Sequence, residues 1–410
     1  MAHDDVPRIV IAGGGVAGLE ACLALRALVP EAALRIDLLS RDRRFEYRAL
    51  TVLEAFGGAP AWTMELERFA ADQGVRLIRD ALAAVEPDAH VAVPAYSQRL
   101  RYDALVVCAG ARPVRTIPGA IVFRGGRDAK AVGAVLDGIR PGERATIAFA
   151  APTGVFWTLP LYELAILAAA RLRTREAQAQ IVIASPETAP LEAFDGAAST
   201  AVQRLLGAHA VDFVGGVRPV AADAGELELD DGRRIRAQAV ITLPSLVGRR
   251  ISGLRQDAEG FVAVDEHGRV AGADGVYAAG DVTTFPLKQG GLACQQADAA
   301  AEAMLAALGV PIVPRTFQPV LKGVLYTDRD PAYLRATLDG KGSEPRPYSI
   351  WWPPSKIAGR HLAPYLALHA GAPRAPEVRP DRDVIEVRID ARGAVRGVAS
   401  ALDVGAVRAG

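Results

Sequence analysis

The chain has 410 residues, half of them hydrophobic, with 47 basic and 47 acidic side chains and a formal net charge of zero. That length accommodates two or three domains with separate cores, and the composition argues against disorder. Balanced charge argues against a nucleic-acid partner held by clustered cations, and three well-separated cysteines with no C-x-x-C pair argue against a disulfide framework or a zinc site.

Met1 to Pro7 is short and polar and lacks the pattern of a secretory leader, so a cytoplasmic location is expected. The apolar strand starting at Arg8 runs into Gly13-Gly14-Gly15-Val16-Ala17-Gly18 and then a helical pattern from Leu19 to Leu28. Gly13, Gly15 and Gly18 form G-x-G-x-x-G between strand and helix. The first glycine permits the tight turn, the second lets a pyrophosphate approach the backbone, and the third lets the helix pack closely on the sheet. The helix N-terminus offers free N–H groups and a positive dipole end to the phosphates. A second strand, Arg35 to Leu39, is followed by Ser40 and Arg41, where an acid usually receives the ribose hydroxyls. Serine retains a hydrogen-bonding group there.

Further along, Leu105-Val106-Val107-Cys108-Ala109-Gly110 is an apolar strand ending in glycine. Ala145 to Tyr162 carries no charge, but Pro152, Gly154 and Pro160 interrupt it. It is expected to be a buried strand, a turn and a helix start, and no transmembrane helix is expected. A helix over 160–177 and a strand over 180–184 complete the pattern of a second Rossmann-like unit. Its turn, Ala150 to Thr158, has one glycine and carries Phe156 and Trp157 where phosphates would approach. Then Gly275 to Val282 forms a strand ending in Gly280-Asp281, followed by Phe285 to Ala293 with Lys288 and Gln289 before a helix of small residues. Beyond 313, a strand over 319–326, a short helix over 331–338, an apolar helix over 362–368 and a strand over 384–389 are expected. Trp351 and Trp352 lie between them and suit either packing between domains or a peripheral membrane contact.

These motifs, in this order, resemble the pyridine-nucleotide-disulfide reductase superfamily over roughly residues 8 to 308. The stretches Leu39 to Tyr47, Pro160-Leu161-Tyr162-Glu163-Leu164 and Phe285 to Gln296 are most similar to sulfide:quinone oxidoreductases, flavocytochrome c sulfide dehydrogenases and type II NADH dehydrogenases. The resemblance implies an α/β fold with two Rossmann-like dinucleotide-binding domains, the second inserted in the first, and a C-terminal cap. The expected FAD domain spans 6–118 and 270–312, the degenerate nucleotide domain 119–269 and the cap 313–410. FAD is the implied cofactor. Gly13, Gly15, Val16, Ala17, Gly18, Ser40, Arg41, Arg48, Leu82, Ala109, Gly110, Gly280, Asp281 and Lys288 are its expected contacts, with Asp281 on the ribityl chain.

Lys288 and the dipole of the following helix would stabilise negative charge on the flavin pyrimidine ring. Phe156, Trp157, Lys288 and Gln289 are the candidate flavin-face residues, with one of the two rings expected against the isoalloxazine. Cys294 suits either a redox role or buried packing. Those relatives place a redox cysteine in the second domain's turn, and no cysteine occurs here between Cys108 and Cys294. Sulfide oxidation by that route is therefore not expected. The function expected is an FAD-dependent oxidoreductase using a small-molecule substrate, with a quinone as one partner. A non-catalytic flavin-binding interaction or sensor protein is the alternative, and a homodimer is the expected assembly.

Overall fold

The computed structural model describes residues 6–194, 196–337 and 355–369, and the backbone of 384–389 and 395–400. In chain order, β1 (Arg8–Ala12) enters α1 (Val16–Leu28), followed by β2 (Arg35–Leu39), β3 (Arg76–Ile78), β4 (Ala104–Val107), β5 (Ala111–Val114) and β6 (Ile121–Val122). Next come β7 (Arg144–Ala150), α2 (Leu159–Thr174), β8 (Gln178–Ala184), α3 (Gly196–Ala208), β9 (Val211–Val214), β10 (Ala239–Thr242) and β11 (Ser245–Gly248). Then follow β12 (Val276–Ala278), α4 (Gly290–Ala307), β13 (Val320–Leu325), β14 (Ala332–Thr337), α5 (Leu362–His369), β15 (Val384–Ile389) and β16 (Val395–Ser400).

Two parallel five-stranded sheets organise the fold. The first has the order β12-β4-β1-β2-β3 and the second β6-β10-β7-β8-β9. Parallel strands buried on both faces need continuous apolar runs, and Ile9 to Ala12, Leu105 to Val107 and Ile147 to Ala150 supply them, each at most 2 % exposed. The antiparallel pair β5-β11 joins the halves, and β12 returns to the first sheet. Helices α1 and α4 pack together through small residues, with Ala21, Ala297, Ala300 and Ala301 all buried.

The C-terminal sheet has the order β13-β14-β15-β16 and packs on α2, α3 and α4. The helix expected over 331–338 is instead the strand β14. Ala332, Leu334 and Ala336 suit a helix by propensity, but register with β13 and β15 overrides it, and Leu334 and Ala336 are buried at strand spacing. Among the described residues no helix is long and apolar enough to cross a membrane. Trp351 and Trp352 lie outside the described residues.

Candidate functional site

The first glycine turn has the geometry its spacing demands. Gly13 sits at φ +138°, its N–H donating to Leu39 O at 2.8 Å, and a Cβ there would fall 2.1 Å from Cys108 O. A Cβ on Gly18 would fall 1.8 Å from Gly13 O. Those two glycines serve the fold itself. Gly15 differs: it is exposed, and a Cβ there would meet no protein atom within 4 Å. It caps α1 with no side-chain bond of its own, leaving the first helical N–H groups open. This is the bare backbone surface a pyrophosphate requires, and Val16, Ala17 and Gly18 form the helix start behind it.

Ser40 closes β2. Its N–H donates to Ile78 O at 2.9 Å and its hydroxyl to Asp42 O at 3.2 Å, so the side chain shapes its own loop. Positive charge gathers above the glycine turn from residues that sequence spacing did not connect. Arg249, just past β11, donates from Nε to Ala109 O at 3.1 Å. Burial, and then the neighbouring Arg41, hold its guanidinium below the ordinary pKa; Arg112 and Arg48 add to the repulsion and Asp42 opposes it. Like charges brought together in a fold are stabilised by an anion, and FAD carries two phosphates. Arg249 is the residue that sequence reasoning missed, because only the β5-β11 pairing brings it to Ala109. Arg249→Met is expected to weaken FAD binding by about 1.5–3 kcal/mol, the contribution of a charged hydrogen bond. Titrations of the apoprotein at low and high salt check this: the variant should also lose part of the wild type's salt dependence.

At the opposite end of the site, Gly280 sits at φ +82° with room for nothing larger, since a Cβ would lie 2.9 Å from that of Ala17. Its N–H donates to the buried Gln296 Oε1 at 2.7 Å. Burial raises the Asp281 carboxyl above its usual pKa, opposed by Lys288 and Arg48. Lys288 Nζ donates to Thr283 O and lies 3.9 Å from the Phe261 ring centre. Burial brings its ammonium down to about 8 against the pull of Asp281, Asp257 and Glu259. Gln289 caps α4, accepting from Leu292 N–H at 2.9 Å and donating to Lys322 O at 3.0 Å, so both ends of its amide are engaged. Gln295 likewise bridges α4 to Val320 of β13.

Arg48 is an exposed cation 3.3 Å from Glu46 whose charge reaches both Arg249 and Asp281, and Leu82 is half-buried in a small antiparallel sheet. Gly110, at φ +64°, has open space on its Cβ side. In the second unit's turn, Phe156 is 57 % exposed, whereas Trp157 packs on Phe194 with ring centres 5.7 Å apart and stands 3.3 Å from where a Cβ on Gly323 of β13 would fall. The two rings therefore face different surroundings, and Trp157 belongs to the packing between the second unit and the C-terminal sheet.

Residues 7–303 match the family described as pyridine nucleotide-disulphide oxidoreductase. The chain belongs to that family. As an enzyme of this family it is an FAD-dependent oxidoreductase, and the turn at Gly15, the arginines above it and the Gly280-Asp281 end fit that cofactor. Among solved structures, the chain is similar to the sulfide:quinone oxidoreductase of the hyperthermophilic bacterium Aquifex aeolicus. The two are 20 % identical, with 81 % of this chain and 84 % of that one covered at a TM-score of 0.74. It is also similar to the ferredoxin reductase of the CYP199A2 system from Rhodopseudomonas palustris, at 17 % identity, 82 % and 84 % coverage and a TM-score of 0.61. An NAD-dependent persulfide reductase from A. fulgidus matches at 15 % identity, 80 % and 63 % coverage and a TM-score of 0.59. No curated protein sequence matches the chain.

A C-terminal segment is clasped to the first helix. Glu20 of α1 is fully buried and accepts the N–H groups of His361 and Leu362 at 2.8 and 2.6 Å, capping α5 from another element. Cys294 lies beside it, fully buried, its thiol pushed far up by burial and then by Glu20. A buried, protonated thiol of this kind packs rather than reacts.

Asp298, one turn along α4, has its carboxyl pushed up to about 8 by burial and then by Glu20, with His361 Nε2 3.9 Å away. A carboxyl with a raised pKa keeps its proton in the fold while the unfolded chain has lost it. Stability therefore falls as pH rises from the ordinary carboxylate range near 4 to about 8, and stays reduced above that. Asp298→Asn is expected to raise the melting temperature by a few degrees above about pH 8 and to leave it unchanged near pH 4. Parallel melting curves of the two proteins across that range test the sign.

Proposed function

We propose that a small-molecule donor and a quinone-class acceptor exchange electrons with the flavin of this enzyme directly, with no nicotinamide nucleotide held by the second domain. The observation that carries this reading is the contrast between the two turns. The first presents bare backbone at Gly15, and the second replaces it with the aromatic-bearing segment 152–158. FAD supplies the hydride and electron transfer when bound; the chain supplies position, exclusion of water and proton control. The turn from Gly13 to Gly18 and the cluster around Arg249 hold the phosphates. Lys288, with its pKa lowered to about 8, exchanges a proton at Nζ near neutral pH while Phe261 and Thr283 fix its position. Gln289 fixes the start of α4. A quinone is favoured by the likeness to the Aquifex aeolicus sulfide:quinone oxidoreductase.

Sulfide as donor through a cysteine persulfide is disfavoured, because Cys22, Cys108 and Cys294 are each buried. The test is an anaerobic screen of donors read by bleaching of the flavin band, followed by reoxidation with a short-chain quinone. NADH and NADPH are expected to reduce the flavin slowly and without saturation, and the quinone to reoxidise it. Reduction that saturates at micromolar NADH would sink this reading.

A further inference from the structure

The buried amide of Gln296 spans the turn that holds Asp281. Gln296 lies on α4, 6 % exposed; its Oε1 accepts the Gly280 N–H at 2.7 Å and its Nε2 donates to Thr283 Oγ1 at 3.3 Å. Thr283 is fully buried, and its hydroxyl and its N–H both donate to Gly280 O at 3.0 Å. One side chain therefore grips the first and last residues of Gly280-Asp281-Val282-Thr283, with the acid between them. Backbone holds the same turn from another direction: Val262 N–H donates to Val282 O and Thr284 N–H to Val262 O, both at 2.9 Å.

Lys288 hangs on this turn. Its Nζ donates to Thr283 O, and the ring 3.9 Å from its ammonium belongs to Phe261, the neighbour of Val262. The ammonium thus has two fixed supports, a carbonyl placed by Gln296 and a ring placed by the Val262 pairing. The charges facing it are Asp281 from the turn and Asp257 and Glu259 from the segment before Phe261, while Arg48 acts on Asp281.

We propose that Gln296 is a positioning residue of the flavin pocket, which keeps the Asp281 carboxyl and, through the Thr283 carbonyl, the Lys288 ammonium in register and so governs proton exchange at Nζ. This deepens the proton role given to Lys288 above and rests on it. Burial holds the ammonium at about 8. A loosened turn lets water reach Nζ and moves its proton exchange towards the ordinary lysine value of about 10.4.

The test measures the reduction potential of the FAD-loaded protein against reference dyes across the range from neutral to about pH 10. Negative charge added to a flavin on reduction favours a protonated Nζ, so the plot of potential against pH is expected to bend near 8 in the wild type. Lys288→Met should remove the bend. Gln296→Met keeps the length of the side chain but loses the amide, and is expected to move the bend up by at least about one pH unit while FAD stays bound. Thr283→Val removes the hydroxyl and keeps the backbone carbonyl; it decides the case if Gln296→Met loses its FAD, and should move the bend the same way. Gln295→Met is the control for plain loosening of α4, since Gln295 bridges to Val320 instead. It should lower the melting temperature and leave the bend in place. A bend that stays at its wild-type pH in both network variants, or moves equally in Gln295→Met, would overturn this proposal alone. A bend that survives Lys288→Met would overturn the proton role on which it rests.

Discussion

Gly15→Val is expected to yield a folded protein without FAD. Three glycines build the first turn, but they are not equivalent. Side chains at Gly13 or Gly18 would collide with backbone oxygens near 2 Å, so substitutions there damage the fold and say nothing about ligand binding. Gly15 has φ −92°, which valine adopts freely, and nothing within 4 Å of the added Cβ. The new side chain therefore stands only in the space the pyrophosphate needs. Loss of affinity should exceed about 3 kcal/mol, more than a hundredfold, because the phosphate contacts with the α1 N-terminus are lost together. The absorbance spectrum of the purified variant and FAD titration of its apoprotein measure this, with circular dichroism confirming the fold. Retention of full flavin occupancy would remove the cofactor site from this turn.

Lys356→Met is expected to destabilise the protein by about 3–5 kcal/mol, the usual cost of leaving a buried ion without its partner. Lys356 is 9 % exposed and Glu163, on α2, fully buried. Their side chains pair directly, Glu163 Oε1 also accepts the Tyr326 N–H at 2.8 Å, and Oε2 has no hydrogen-bond partner. The lysine ammonium lies 4.4 Å from the Tyr326 ring centre. Burial drives the Glu163 carboxyl up and the Lys356 ammonium down, each opposed by the other. Replacing both, Glu163→Met with Lys356→Met, should recover most of the loss, since an apolar pair of similar volume needs no desolvation of charge. Thermal melting of the FAD-loaded forms compares the three proteins. A double variant as unstable as the single one would show that the pair does not act through charge.

The cofactor half was legible because its demands are local. Close approach of backbone to phosphate forces glycine at Gly15, and close packing forces it at Gly13 and Gly18, whatever the rest of the chain does. The second unit was legible from the same rule, since Ala150 to Thr158 lacks those glycines. What escaped reading depends on register between distant segments. Arg249 reaches Ala109 only through the β5-β11 pair. Gln295 and Gln296 tie α4 to β13 and to Gly280, tasks visible only once the helix is docked. Ala332 to Thr337 was misread because Ala, Leu and Arg favour a helix locally, while the two strands flanking β14 impose the extended form. Lys356 carried no signal at all, for a lysine in sequence gives no hint of a buried carboxylate nearly two hundred residues upstream.

The clasp on the first helix also orders events during synthesis. Glu20 is among the earliest residues made, yet the N–H groups it accepts belong to His361 and Leu362. The Tyr47 hydroxyl likewise accepts the Ile357 N–H at 3.1 Å, and α4, which covers much of α1, is made only long after it. Contacts so distant in sequence form late and slowly. At ordinary ribosomal speeds the first βαβ unit waits on the order of tens of seconds for its partners. Through that interval Glu20 cannot be buried, since a carboxylate without donors is too costly to desolvate. The glycine turn therefore emerges first, while the segment that buries Glu20 behind it arrives last.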